Sequence, residues 1–178
     1  PEESLHVYAM TKRMLLLGLQ AFEKQYHLDW LYFIPSTLYG PGFELDDNHF
    51  IFDFIRNGYN AKEKEEPWSL WGNGEQRREL IYVDDAVDAM LDLLHCKNEV
   101  FNLGSGQDYT INEFAQKVCK IYDYDFSHIT HDMTKYVGVR EKKIDTTKVM
   151  RYLGKNQFLK TSLDEGLEKA INYFKEHI

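Results

Sequence analysis

No glycine-rich strand–turn–helix occurs anywhere in these 178 residues. A dinucleotide pyrophosphate is received on such a turn, so the chain carries no phosphate cradle of that kind. Cysteine is scarce: Cys96 and Cys119 stand without metal-ligand spacing, and two thiols in such a chain read as reduced and cytoplasmic. The seven histidines share no spacing either, so no metal site is expected. Excess positive charge is missing. A net charge of −8 argues against nucleic-acid binding, which needs a basic surface to meet phosphates. The longest apolar run, Met14 to Leu19, is far too short to span a bilayer. No secretory or transit segment is visible, and the first residue is Pro1, so the natural start is expected upstream. Internal repeats and low-complexity segments are also absent.

What is present reads as an ordinary globular domain. The hydrophobic share of 43% and charged share of 28% predict one domain, with room for two lobes and a real core. Residues Glu2 to Gln25 read as one long helix, with Ser4 or the acidic pair before it serving its N-terminus. Met14, Leu15, Leu16, Leu17, Leu19, Ala21 and Phe22 spread over more than one face, so this helix is expected to be covered on two sides. Trp30 to Ile34 reads as a buried parallel strand ending at Pro35, followed by the loop Tyr39-Gly40-Pro41-Gly42. Asp46, Asp47 or Asn48 can cap a helix from His49 to Tyr59 with Phe50, Ile51, Phe54 and Ile55 inward. Lys62 to Glu66 reads as a solvated charge run. Short strands are expected at Trp68–Trp71 and Leu80–Val83, around the turn Gly72-Asn73-Gly74.

Asp84 or Asp85 then starts a helix to Leu94, and Val100–Leu103 is a second sheet strand closed by Gly104-Ser105-Gly106. Thr110 or Asn112 starts a helix to Ile121. Tyr122 to Gly138 reads as irregular. Thr146 or Thr147 starts a short helix to Leu153, and Ser162 with Glu165 makes a capping-box start for the last one. Strands alternating with helices predict α/β, but too few strands are present for a complete doubly wound domain.

Chemistry concentrates first at Tyr8 and Lys12. Four residues apart on a helix, they share a face and can reach one ligand. A phenol titrates near ~10, too high for easy proton exchange at neutrality. A neighbouring ammonium or a cationic nicotinamide favours the phenolate. Such a pair is suited to moving a proton on a sugar hydroxyl while hydride moves to or from a cofactor. By itself the pair is also expected by chance in a chain this rich in both residues.

The ordered run Tyr8-Ala9-Met10-Thr11-Lys12, Pro35-Ser36-Thr37-Leu38-Tyr39-Gly40-Pro41-Gly42, Trp71-Gly72-Asn73-Gly74, Arg78-Glu79-Leu80-Ile81-Tyr82-Val83-Asp84-Asp85 and Asn102-Leu103-Gly104-Ser105-Gly106 resembles the extended short-chain dehydrogenase/reductase family. These are NAD(P)-dependent epimerases, dehydratases and reductases of nucleotide sugars. The resemblance covers essentially the whole chain. Asn48-His49 before an amphipathic helix, with Leu70-Trp71-Gly72 and Arg77-Arg78-Glu79-Leu80 after it, looks most like the GDP-L-fucose synthase branch.

The resemblance implies an α/β fold: the C-terminal part of a Rossmann-type doubly wound domain plus the small substrate-binding lobe. Residues 1–35 and 85–125 would belong to the Rossmann-type part, and 36–84 and 126–178 to the lobe. It implies NADP or NAD in a full-length parent, with the cofactor not bound by this fragment alone. It implies Tyr8 as proton donor to the sugar C4 oxygen and Lys12 holding the nicotinamide ribose and tuning Tyr8. Pro35 and Leu38 would line the nicotinamide pocket. His49 would work with a cysteine in epimerising C3 and C5 beside a 4-keto group. Trp71 and Arg78 would contact the diphosphate-sugar, as would Arg56, unless the family's arginine falls one place later, at Asn57. Asp145 matches a position near the nucleotide. Extended short-chain reductases commonly dimerise through the helix that carries the Tyr, so a homodimer through the first helix is implied.

The residues also admit plainer readings. His49 can cap its helix, Trp71 can be core, Arg78 can pair with Glu79 or Asp84, and Asp145 before two threonines can be a helix start. Thr37 stands where fucose synthases carry Asn, which puts its sugar contacts in doubt. The family's Ser and its epimerising Cys lie upstream of Tyr8, and Cys96 and Cys119 read as small core residues. Three functions are therefore open: an epimerase/reductase fragment of the GDP-L-fucose synthase kind, a fragment of another 4-epimerase or 4,6-dehydratase, or a non-catalytic sugar-nucleotide-binding or dimerisation module.

Overall fold

A computed structural model describes residues 3–154 and 158–178, with side chains from His6 onward. The chain opens on helix α1 (Glu3–Tyr26); its expected N-terminal signals, Ser4 and the Glu2-Glu3 pair, lie outside the described side chains. α1 ends where His27 adopts a left-handed conformation (φ 56°) and its N–H returns to the Glu23 carbonyl at 2.9 Å, a helix-closing geometry. Strand β1 (Leu31–Pro35) follows and pairs in parallel with β5 (Glu99–Leu103). Glu23 ties the helix to both strands. Its carboxylate accepts from Trp30 Nε1 at 3.0 Å and from Asn98 Nδ2 at 3.1 Å, while Tyr32 Oη donates to the Lys12 carbonyl at 2.7 Å.

At Ser36 the chain changes sheets. Ser36 N–H still donates to Leu103 O at 2.8 Å, but β2 (Thr37–Tyr39) pairs in parallel with β4 (Arg77–Tyr82). β4 also takes β6 (Asp108–Thr110) antiparallel and β8 (Glu141–Lys142) parallel. The expected turn at Gly72–Gly74 does not join two paired strands: β3 (Ser69–Trp71) instead pairs with β7 (Thr130–Asp132), far along the chain. β7 and a 3₁₀ turn at Phe126–His128 lie inside the stretch read as irregular.

Among the described residues, five further helices close around these sheets. α2 (Phe50–Glu63) and α4 (Ile111–Tyr122) are amphipathic, as is the last helix, α6 (Leu163–His177). Their inward residues Ile51, Ile55, Phe114, Val118, Leu167 and Ile171 form one core with Trp68 and Leu70. α2 extends past Tyr59 to Glu63, so the charge run at 62–66 begins on its last turn. Gly58 lets α2 approach α4: a Cβ there would meet Tyr122 Cδ2 at 2.7 Å and Val118 Cγ1 at 2.9 Å. Thr110 makes the full capping box with Glu113, and Ser162 caps α6 through Glu165 N–H at 3.2 Å. α3 (Val83–Asp92), α5 (Thr147–Leu153) and β5 share a second core of Ala86, Leu93, Phe101, Leu103, Val149 and Phe158.

This packing draws the line between lobes differently from the expected division in two places. α4, within 85–125, packs with α2 and α6; α5, within 126–178, packs on β5. Apolar faces, rather than position along the chain, decide the partner. Two buried carboxylates hold the loops between the cores. Glu79 accepts from Gly106 N at 2.7 Å and Ile144 N at 2.9 Å. Asp85 accepts from Lys160 N and Thr161 N, both at 3.0 Å, and from Thr161 Oγ1 at 3.1 Å.

Candidate active site

Beyond the C-terminal end of β1, where the chain leaves one sheet for the other, lies a cavity of about 500 Å³. Such crevices at strand ends, where neighbouring strands part, are where α/β sheets receive ligands. Tyr8 reaches it from α1, Pro35, Thr37 and Leu38 from the strand switch, and Asp47 and His49 from the turn before α2. Tyr8 is exposed, and Lys12 Nζ lies 5.5 Å from its ring centroid. The pair shares a helix face as its spacing requires, with Lys12 behind the tyrosine rather than on the cavity wall.

His49 occupies the N-cap position of α2, yet its side chain makes no capping bond. Its ring Nδ1 lies 2.7 Å from Asp47 Oδ1, and its own N–H donates to that oxygen at 2.8 Å. The turn thus satisfies its backbone through Asp47 and leaves the imidazole on the cavity. Burial works to raise the Asp47 carboxyl, but the two bonds from His49 and the nearby Arg56 charge hold it below the ordinary carboxylate value.

A second cavity, about 330 Å³, opens on the other side of this turn, lined by Asn57, Trp71, Gln76 and Arg78. Asn48 lines the second cavity and His49 the first, so the start of α2 stands between them. Trp71 is 59% exposed, with Lys135 Nζ 5.9 Å from its ring centroid; it is not core. Arg78 pairs with neither Glu79 nor Asp84. It donates to three carbonyls, Arg77 O at 2.7 Å, Val139 O at 3.0 Å and Val137 O at 3.2 Å. Burial pulls its guanidinium below the usual arginine range, so a cation that carbonyl dipoles hold among the described residues faces this space, an arrangement suited to an anionic ligand.

Besides Lys12, two expected ligand contacts line neither cavity. Arg56 binds the Asp53 carboxylate and the Leu45 carbonyl (2.6 Å), while its neighbour Asn57 lines the second cavity. Asp145 accepts from Thr147 N–H at 2.8 Å, and its carbonyl accepts from Asn102 Nδ2 at 2.9 Å. It stands one residue before the N-cap of α5, Thr146, and binds the first N–H of that helix. Cys96 and Cys119 pack among apolar side chains, and burial pushes the Cys119 thiol up to about 12.

Residues 1–104 match the NAD dependent epimerase/dehydratase family. The chain belongs to that family. Among its relatives, the GDP-L-fucose synthase of Sinorhizobium fredii is 32% identical over 176 residues, covering 96% of this chain and 55% of that protein. The GDP-L-colitose synthase of Yersinia pseudotuberculosis is 34% identical over 147 residues, covering 79% and 46%. The UDP-glucose 4-epimerase of Thermotoga maritima, solved with UDP-glucose, superimposes with a TM-score of 0.82 at 27% identity, over 96% of this chain and 53% of that one. A GDP-L-fucose synthetase of Naegleria fowleri bound to NADP gives 0.89 over 99% and 58%; at 21% identity this shows the fold alone. The chain thus spans about half the length of the curated family members it matches.

Within this family frame, sequence reasoning missed Asp47 as more than a cap and Gln76 as a lining residue, while Asn57, offered as the alternative to Arg56, lines the second cavity. Only the Asp-x-His spacing was available as a signal for the first. Among the described residues, Ser36 Oγ and Gln76 Oε1 are buried without partners beside the first and second cavities.

Proposed function

We propose that the chain is the catalytic-helix and substrate-binding half of an NAD(P)-dependent nucleotide-sugar epimerase/reductase of the GDP-L-fucose synthase kind. In that reading the complete protein epimerises C3 and C5 and reduces C4 of a GDP-4-keto-6-deoxy sugar. The observation that carries it is the meeting of Tyr8 and His49, remote in sequence, on the wall of one cavity. The two provide two of the proton transfers this chemistry needs, with the transfer on the opposite face of the sugar left to the cysteine that the resemblance assigns upstream of Tyr8. Tyr8, with Lys12 behind it, gives a proton to the C4 oxygen. His49 moves protons at carbons beside the ketone, whose enolate form makes them removable.

Pro35, Thr37 and Leu38 form the wall nearest Tyr8, and the buried, unpartnered Ser36 Oγ lies beside them. These residues fit the nicotinamide end of a dinucleotide, which supplies hydride when bound. Trp71, Arg78 and Asn57 fit the diphosphate and nucleoside end of the substrate in the neighbouring cavity, with Arg78 meeting phosphate charge. Arg56 and Asp145 leave the list of contacts. The uncovered faces of α1 are read as the seat of a homodimer and of the upstream half.

The test uses the protein expressed with its upstream sequence. Tyr8→Phe should lower C4 reduction ~10²–10⁴-fold while substrate binding persists. His49→Asn should spare hydride transfer and block deuterium exchange from solvent into the sugar. The 178-residue chain alone should show no turnover and no saturable binding of reduced nicotinamide; turnover by it would overturn the half-enzyme reading. The likeness to a UDP-glucose 4-epimerase favours one second reading, a 4-epimerase in which His49 is incidental. Exchange at the parental rate in His49→Asn selects it.

A further inference from the structure

An imidazole is a useful base only if the right nitrogen carries the lone pair, and a neutral ring has two tautomers to choose from. In the first cavity one oxygen stands where it can make that choice. Asp47 Oδ1 lies 2.7 Å from His49 Nδ1 and 2.8 Å from His49 N, so ring and backbone are held by the same acceptor. Asp47 is itself fixed, its N–H donating to Glu44 O at 2.9 Å. Its side chain is 29% exposed against 70% for His49, so the carboxylate is the anchored partner and the ring the projecting one. The other groups whose charge bears on this turn are Asp53 and Arg56 on α2, with Tyr8 at the same cavity wall.

We infer that Asp47 is the positioning residue for His49: it keeps the proton on Nδ1, directs Nε2 to the substrate as the base, and stabilises the imidazolium that forms. The inference rests on the proton-transfer role proposed above for His49. The step it serves is balanced within the site. The C–H bond beside the ketone breaks, Nε2 takes the proton, and the bonding pair becomes the enolate with its charge on the ketone oxygen. Inversion is completed when the enolate takes a proton on its other face from the partner acid assigned upstream of Tyr8; the ring then gives its proton to solvent and is again neutral and Nδ1-protonated. A carboxylate at Nδ1 favours the first transfer by offsetting the ring's new charge, the logic of an orienting acid behind a catalytic histidine. Asparagine can still accept at this position, whereas alanine cannot.

The experiment compares Asp47→Ala, Asp47→Asn and His49→Asn in the protein carrying its upstream sequence. Long-range ¹H–¹⁵N NMR of labelled histidine, assigned by the signal missing in His49→Asn, reads the tautomer. Deuterium incorporation from solvent into a 4-keto sugar nucleotide reads the proton transfer, and cofactor oxidation reads hydride transfer. Asp47→Ala is expected to lose the Nδ1–H tautomer and to slow exchange at least ~10-fold more than it slows hydride transfer. Asp47→Asn should restore the tautomer and most of the exchange. Exchange and hydride transfer falling equally, or a tautomer unchanged in Asp47→Ala, would overturn the positioning role. If His49→Asn itself exchanges at the parental rate, the functional reading of His49 fails. The tautomer of Asp47→Ala would then still decide whether the pair is a fixed dyad.

Discussion

Helices α1 and α4 are both rich in apolar residues, and their surroundings are opposite. α4 buries Ile111, Phe114, Ala115, Val118, Cys119 and Tyr122 against α2 and α6. Along α1, none of residues 6–26 is buried, and Met14 and Leu17 stand more than half exposed. The contrast teaches that an apolar face declares a need for cover without saying what supplies it. For α4 the cover is in the same chain; for α1 the described residues provide two hydrogen-bonded ties and little else. Among the described residues, the helix that carries Tyr8 is thereby the least buried.

The sharpest way to break this contrast is to cut one side chain from each helix. Phe114→Ala should cost about 3–5 kcal/mol, as expected for a large ring removed from a closed core. Leu17→Ala should stay within about 0.5 kcal/mol, as an exposed site does. Urea denaturation of the two variants checks this, and equal losses would erase the distinction. Next in size, Gly58→Ala should cost about 1–3 kcal/mol, because its methyl has nowhere to go between Tyr122 and Val118. The same change at Gly18 meets nothing within 4 Å and should be tolerated.

A third test probes the missing cover itself. Leu15→Glu with Leu17→Glu should abolish self-association of the chain, or leave it insoluble, while the helix α4 core keeps its unfolding midpoint. Light scattering that finds the unaltered chain a clean monomer at high concentration would sink the dimer. The smallest effect belongs to the sheet between the cores. Arg77 Nε at 2.6 Å and Lys143 Nζ at 3.4 Å hold the Asp108 carboxyl below its ordinary value. Its stabilisation is therefore full above the unfolded value of about 3.9 and lost as pH falls through the folded one. Asp108→Asn should lower the denaturation midpoint slightly at pH 7, and the difference should vanish in acid. A gap that widened on acidification would show that another group controls it.

Long elements with local signals were legible. The helix ends at Thr110 and Ser162 and the strand at Val100–Leu103 follow from caps and apolar runs within a few residues. The strands β2, β6, β7 and β8 were not, because two or three residues owe their extended form to distant partners, as Ser69 does to Thr130. In the site, Tyr8 and His49 were legible as chemistry, and their meeting was not. Arg56 and Asp145 line neither cavity, and each has a partner two or three residues away, Asp53 and Thr147, a local pairing that motif spacing does not reveal. Asp47 was visible as a cap, and its backbone bond to His49 agrees. Its second bond, to the ring, depends on a rotamer that spacing does not specify.

The two ties on α1 make it a rod pinned at two points. Glu23 is one pin and the Lys12 carbonyl the other, about 16 Å apart at ~1.5 Å of rise per residue. Tyr8 overhangs the second pin by one turn, about 6 Å. Slack at the Tyr32 hydroxyl would swing the phenol about the Glu23 fulcrum, so that a group outside the cavity wall meters the gap between Tyr8 and His49.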